Sequence, residues 1–204
     1  EHDERWISPE AWAACRTDRG DPPDGTPITV GFDGSYNNDA TALAGVTRDG
    51  HVFRIGLWER PASAGPEWVV PRGEVDKRVD ETFRRWRVTR LACDLSRWQG
   101  ETERWWEKYG DDVVDVPQDR RRMVHACAVF YSAVAQRRLT HSGDPDLTRH
   151  LANAVVKETP DGAYITKDGR HSPRKIDLIL AAILAYQDSQ VATSPQRGGM
   201  AFAA

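Results

Sequence analysis

The sequence predicts an α/β domain whose central mixed sheet opens with three antiparallel strands, continues with parallel ones and is flanked by helices. Three observations lead there. Three β-rich runs follow one another between residues 28 and 59; helical and extended patterns alternate from residue 75 to residue 139; and the last periodic stretch is apolar on nearly every side. A chain of 204 residues with 39% apolar side chains is long enough to bury one sizeable core.

Taken in order, Ser8 before Pro9 and Glu10 reads as an N-cap with proline at the first helical position, so a short helix covers 9–16. The turn-rich stretch 20–27 follows, and residues 1–25 read as a linker. Residues 28–33, 41–47 and 51–59 are β-rich, the last two joined by the turn Arg48-Asp49-Gly50. Val75, Val79, Phe83 and Trp86 recur at helical spacing before the extended run 88–93, which implies a parallel crossover. A helix over 101–109 stops at Gly110, a strand spans 113–116, and a long helix over 123–139 carries Val124, Cys127, Phe130, Tyr131 and Val134. Residues 146–156 read as a helix and 157–166 as a hairpin turning at Asp161-Gly162. The stretch 174–190 is a final helix, apolar almost all round and therefore packed in the core. Residues 192–204 lack periodicity and read as a flexible tail, which leaves 26–191 as the domain.

Several function classes are disfavoured. No apolar run approaches the roughly 20 residues of a membrane span, and no signal peptide is visible. The first residue is Glu, so the chain reads as part of something longer. Cys15, Cys93 and Cys127 are odd in number and widely spaced, which argues against a disulfide frame or zinc ribbon and fits a reducing, cytoplasmic setting. There is no GxxxxGKS loop for nucleotide hydrolysis and no GxSxG elbow for acyl transfer. The six histidines include no HxxxH pair. A net charge of −3 is not that of a protein coating nucleic acid, yet arginines cluster at 84, 85, 87 and 90, at 120–122, at 137–138 and, with Lys175, at 170 and 174. Trp98, Trp105 and Trp106 read as core or domain contacts.

The carboxylates carry the chemistry. Asp33 ends an apolar β-run and is followed by Gly34-Ser35, small residues beside which a phosphate backbone has room. Asp94 ends the run Leu91-Ala92-Cys93, at the carboxyl edge where open α/β sheets place their sites. Asp177 opens an otherwise apolar helix. Each has an ordinary role alone, as a turn cap or a partner of the helix dipole. Together, converging carboxylates repel one another and require a cation. Oxygen ligands without a His or Cys cluster select Mg²⁺ or Mn²⁺, and two such ions about 4 Å apart clamp the attacking and leaving oxygens of a phosphodiester. His150, one helical turn before Asn153, reads first as a satisfied structural histidine, the alternative being one that shares a surface with the cleft.

The order of these acids resembles the nuclease domain of the large terminase subunit of tailed double-stranded DNA bacteriophages. The resemblance spans roughly 26–191. It rests on Gly31-Phe32-Asp33-Gly34-Ser35 with Asp39-Ala40-Thr41, on Ala92-Cys93-Asp94, on the stretch 139–144 leading into 147–155, and on Arg174-Lys175-Ile176-Asp177. It implies an RNase H-like sheet and an endonuclease, dependent on two Mg²⁺ or Mn²⁺ ions, that cleaves concatemeric double-stranded DNA during viral genome packaging. Carried over by position, Asp33, Asp94 and Asp177 are the catalytic metal ligands and Asp39 an accessory one. Lys175, Arg174, Arg170 and Ser35 face the DNA. In the wider fold class, one ion between Asp33 and Asp177 activates water, and one between Asp33 and Asp94 stabilises the departing 3′ oxygen. The resemblance further implies an N-terminal ATPase in the parent chain, with 1–25 left from that junction, a portal protein and a small terminase subunit as partners, no membrane, and the host cytoplasm as location. The alternatives are another phosphodiesterase of this fold, such as a Holliday-junction resolvase, or a non-catalytic module docking DNA or portal.

Overall fold

In the computed structural model, which describes residues 5–35, 40–94, 98–169 and 172–193, the side-chain alternation of the first β-run decides the layering. Helix α1 (Pro9–Ala13) precedes strand β1 (Pro27–Asp33). Ile28, Val30 and Phe32 point to one face of the sheet and Thr29, Gly31 and Asp33 to the other. β1 pairs antiparallel with β2 (Thr41–Thr47), which pairs antiparallel with β3 (His51–Trp58). Helix α2 (Arg72–Arg85) carries the chain across to β4 (Arg87–Cys93), parallel to β1. Helix α3 (Gln99–Tyr109) then leads to β5 (Val113–Asp115), parallel to β4. After α4 (Arg120–Ala135), the short β6 (Thr140–His141) adds in parallel to β3 at the opposite edge. The order is β5-β4-β1-β2-β3-β6, the mixed RNase H-like sheet that the resemblance implies.

Helix α5 (Pro145–Ala152), the separate hairpin of β7 (Val155–Thr159) and β8 (Gly162–Thr166), and α6 (Asp177–Thr193) complete the chain. One core lies between the sheet and α4, α5 and α6, where Ala42, Ala44 and Ala92 meet Leu178, Ala181, Ala182 and Ala185. Small residues on the strands let α6 lie close, and that helix is buried on nearly all sides. The other core lies under α2 and α3, where Phe32 stands edge-on to Trp98 and Trp105 with centroids 5.2 and 5.1 Å apart.

The structure differs from the sequence expectations at several boundaries. The leading segment expected as a linker is packed: Ile7, Trp12 and Cys15 are buried in the α6-side core, and Trp12 stacks on His141 at 3.8 Å. Five helical residues carry too little periodicity to announce this. The helix expected over 146–156 ends at Ala152, and Val155 and Val156, both β-branched, join the hairpin against Thr166 and Ile165. The long helix runs from Arg120 to Ala135 because Asp119 caps it, accepting from the Arg122 N–H at 3.0 Å. Its continuation turns at Arg137 (φ 53°), freeing Thr140 and His141 for β6. The last helix begins at Asp177, not at 174. Trp106, expected as a core or domain contact, is exposed, whereas Trp98 and Trp105 are buried. All three cysteines are free and buried. Among the described residues no helix is long and apolar enough to cross a membrane.

Candidate active site

The three aspartates come together through strand register and one helix contact. β1 and β4 run parallel with Gly31 opposite Ala92, so two residues further on Asp33 stands beside Asp94, across an inter-strand spacing of about 4.8 Å. Asp33 is 3% exposed, and Asp94 is half-buried. Gln118, in the loop between β5 and α4, spans the pair. Its Nε2 donates to Asp33 Oδ1 at 2.8 Å and its backbone N–H to Asp94 Oδ2 at 3.4 Å.

Asp177 arrives from above. Thr29 Oγ1 donates to the Ala185 carbonyl at 2.9 Å, and a Cβ on Gly31 would fall 2.0 Å from the Ala181 carbonyl oxygen. Helix α6 therefore runs antiparallel to β1. Two residues along the strand, about 6.6 Å, match one turn of helix, about 6 Å. The next pair in both series is Asp33 and Asp177, the latter 4% exposed in the first turn of α6. Far along the same helix, Asp188 is gripped by Arg90 of β4.

A second cluster holds the start of α6. His150 is fully buried, accepts at Nδ1 from the Leu178 N–H (2.9 Å), and meets Glu59 Oε1 through Nε2 (2.9 Å). Since Nδ1 accepts, the proton sits on Nε2 and is donated to Glu59. Glu59 also takes two bonds from Arg149, at 3.2 and 2.7 Å. Burial pushes its carboxyl up, but the hydrogen bonds from His150 and Arg149 and the charge of Arg149 outweigh it and hold the group down at about 2. Asn153 Nδ2 donates to the Lys175 carbonyl at 2.9 Å. His150 is thus a satisfied structural histidine, and what it satisfies is the backbone next to Asp177.

The DNA-facing residues expected from sequence divide. Arg174 is exposed, with a loose pair to Asp168 at 3.6 Å, and Lys175 Nζ donates to the Ser172 carbonyl at 3.3 Å. Ser35 is half-buried, and its backbone N–H and carbonyl both bond Thr41 Oγ1, at 3.1 Å each. At Gly34 the space a side chain would take is filled, since a Cβ there would meet Trp98 Nε1 at 2.6 Å and the Phe32 ring at 2.5 Å. Asp39 and Arg170 lie outside the described residues. Of the arginine clusters, Arg84, Arg85 and Arg87 lie at the start of β4, about 20 Å of strand away from Asp94. Arg137 and Arg138 lie beyond the far end of α4. Arg120, Arg121 and Arg122 are exposed and begin two residues after Gln118.

Sequence reasoning missed Gln118 and Glu59. Gln118 shows only its place after a strand, at the carboxyl edge of the sheet; Glu59 shows only its place just past the end of β3. Among the described residues no three His, Cys, Asp or Glu side chains close round one point as a cage for an ion. Asp33, Asp94 and Asp177 instead share one edge, an all-carboxylate donor set suited to a hard divalent cation.

This sheet, with its carboxylates on β1, beside β4 and at the start of α6, has the fold of phage large-terminase nuclease domains. The chain aligns over 90% of its length with the large terminase of bacteriophage HK97 (TM-score 0.71, 21% identity), covering 43% of that protein. It aligns likewise over 90% with the large terminase nuclease of thermophilic phage G20c with bound magnesium (TM-score 0.64, 13% identity, 97% of that chain). In sequence it is 30% identical over 208 residues to the gene 13 protein of Mycobacterium phage L5, which covers 90% of this chain. The chain spans about a third (35%) of that relative's length. No family model matches.

Proposed function

We propose that this chain is the nuclease domain of a phage large terminase, a divalent-metal-dependent endonuclease that cleaves concatemeric double-stranded DNA during genome packaging. The observation that carries the reading is the pairing of Asp33 and Asp94 at one sheet edge, bridged by Gln118, with Asp177 in the first turn of the helix that crosses β1. The solved relatives supply the fold, and the magnesium-bound G20c nuclease supports the choice of metal.

Asp33 and Asp94 would hold one Mg²⁺ or Mn²⁺ ion, and Asp33 and Asp177 another, with Asp39 as an accessory ligand. Such ions, when bound, neutralise the phosphate and supply a reactive water at neutral pH. Mg²⁺ is commonly held by one or two carboxylates plus water and substrate phosphate, so an open edge suits it better than a cage. The buried carboxylates of Asp33 and Asp177 keep fixed orientations, while Lys175 and Arg174, with Arg170 and Ser35, face the phosphodiester backbone. Contacts of that kind hold duplex without reading its bases, so cutting is sequence-tolerant and salt-sensitive.

The partial coverage of the HK97 terminase and the gene 13 protein supports a larger parent, in which the leading segment, packed on the nuclease core, follows an ATPase motor, 26–191 form the rest of the nuclease and 192–204 a tail. The portal, the small terminase subunit and the host cytoplasm belong to the same proposal.

The test is incubation of the domain with supercoiled plasmid in Mg²⁺, Mn²⁺ or EDTA beside Asp94→Asn, with a four-way junction as competitor. Metal-dependent nicking and linearisation, lost in the variant and indifferent to the junction, is expected. A folded domain that cuts nothing in any metal overturns the proposal in favour of a binding module, and preferential cutting of the junction favours a resolvase.

A further inference from the structure

Gln118, outside the expected set, hydrogen-bonds two of the candidate acids. The loop carrying it is fixed at both ends. Val116 N–H donates to the Cys93 carbonyl at 2.9 Å, extending the β4–β5 pairing to the residue before Asp94, and Asp119 caps α4 immediately afterwards. A half-buried side chain on so short a tether has little freedom.

Two carboxylates side by side on parallel strands repel and tend to swing apart. Gln118 presents only donors to them, from two different atoms, and carries no charge. A carboxylate offers about four lone-pair positions, so one donor on Asp33 Oδ1 and one on Asp94 Oδ2 orient both groups without saturating either.

We infer that Gln118 is a positioning residue for metal binding, its amide and backbone N–H aiming the Asp33 and Asp94 carboxylates at a common ion. The inference rests on the metal-dependent reading above. The arrangement gives Gln118 a task distinct from ligation: the amide oxygen is not needed, and the donor on Nε2 is.

Calorimetric titration of Mn²⁺ into wild type, Asp33→Asn, Gln118→Ala and Gln118→Met separates the possibilities, with circular dichroism and thermal unfolding of each metal-free protein run alongside. Methionine keeps the length of glutamine and removes its donor. Both Gln118 variants are expected to remain folded and to lose tenfold or more in Mn²⁺ affinity, the loss typical when a partner that orients a metal ligand is removed. Retention of affinity by Gln118→Met with loss in Gln118→Ala would reduce the residue to packing and overturn the inference. Unchanged affinity in both overturns it too, as does tighter binding, which would make the amide a competitor of the ion. If wild type takes up no Mn²⁺ at a site sensitive to Asp33→Asn, the metal reading itself falls and the inference with it.

Discussion

Gly31→Ala tests the geometry on which the site depends. The new Cβ would fall 2.0 Å from the Ala181 carbonyl oxygen and 2.8 Å from the Ala185 nitrogen, both backbone atoms of α6. No rotamer change relieves a clash with backbone, so the helix must lift. To restore an ordinary contact of 3.4 Å it would have to move by about 1.4 Å from the nearer atom. Overpacking costs typically 1–3 kcal/mol, and a clash with a rigid, fully buried helix belongs at the upper end, about 3 kcal/mol. For a domain of this size that lowers Tm by about 6–12 °C. Lifting α6 also draws Asp177 away from Asp33, so Mn²⁺ affinity should fall together with stability. Gly73→Ala is the control: a Cβ there meets nothing within 4 Å in helix α2, and the change should raise stability by up to about 1 kcal/mol. Differential scanning calorimetry and Mn²⁺ titration read both effects. A Gly31→Ala protein melting within about 2 °C of wild type, or binding Mn²⁺ unchanged, would refute the close passage of α6 over β1.

Two further predictions concern the cluster at the start of α6. Glu59 has a folded pKa of about 2 against an ordinary 4.5, so it contributes stability above pH 4.5 that is lost as pH falls from there toward 2. The contribution is about 3 kcal/mol. Glu59→Gln should lose that amount near neutrality and flatten this part of the acid limb in urea denaturation against pH; an unchanged limb would refute it. His150→Ala removes the acceptor of the Leu178 N–H and leaves a cavity at a fully buried position. A cost of about 3 kcal/mol follows. His150→Asn, which retains an acceptor, should recover part of it, and a destabilisation below about 1 kcal/mol in the alanine variant would contradict the capping role.

The parts of the fold written in periodicity were legible. β1 and β2 announce themselves by apolar runs, and the all-round burial of α6 by its lack of a polar face. The candidate aspartates stand out in the sequence because each marks the boundary of a pattern: Asp33 after 28–32, Asp94 after 88–93, Asp177 where apolar residues resume. Features made by single side chains meeting across the chain were not. Gln118 reaches back 85 residues to Asp33, and Glu59 reaches forward 91 to His150. Neither contact leaves a local trace. The two-residue strand β6 and the burial of Trp12 depend in the same way on surfaces that exist only once the sheet has formed.

Such non-local contacts are what an open, carboxylate-lined edge requires. Mg²⁺ demands near-octahedral geometry, which three acids on three elements, holding it as proposed, would satisfy only if those elements cannot slide. Strand register settles Asp33 against Asp94 without help, since a slip of one residue would turn Asp33 to the opposite face. The helix has no hydrogen-bonded register against the sheet: its close passage over Gly31 limits translation, and an apolar surface nearly all round leaves its rotation less specified. Polar contacts remove that freedom: Arg90 on Asp188 and Thr29 on the Ala185 carbonyl toward one end, His150 on the Leu178 N–H and Asn153 on the Lys175 carbonyl at the other. The apolar face supplies the adhesion of α6, and these few bonds supply its address. The position of Asp177 therefore depends more on His150 and Asn153, which carry no chemistry of their own, than on the hydrophobic residues surrounding it.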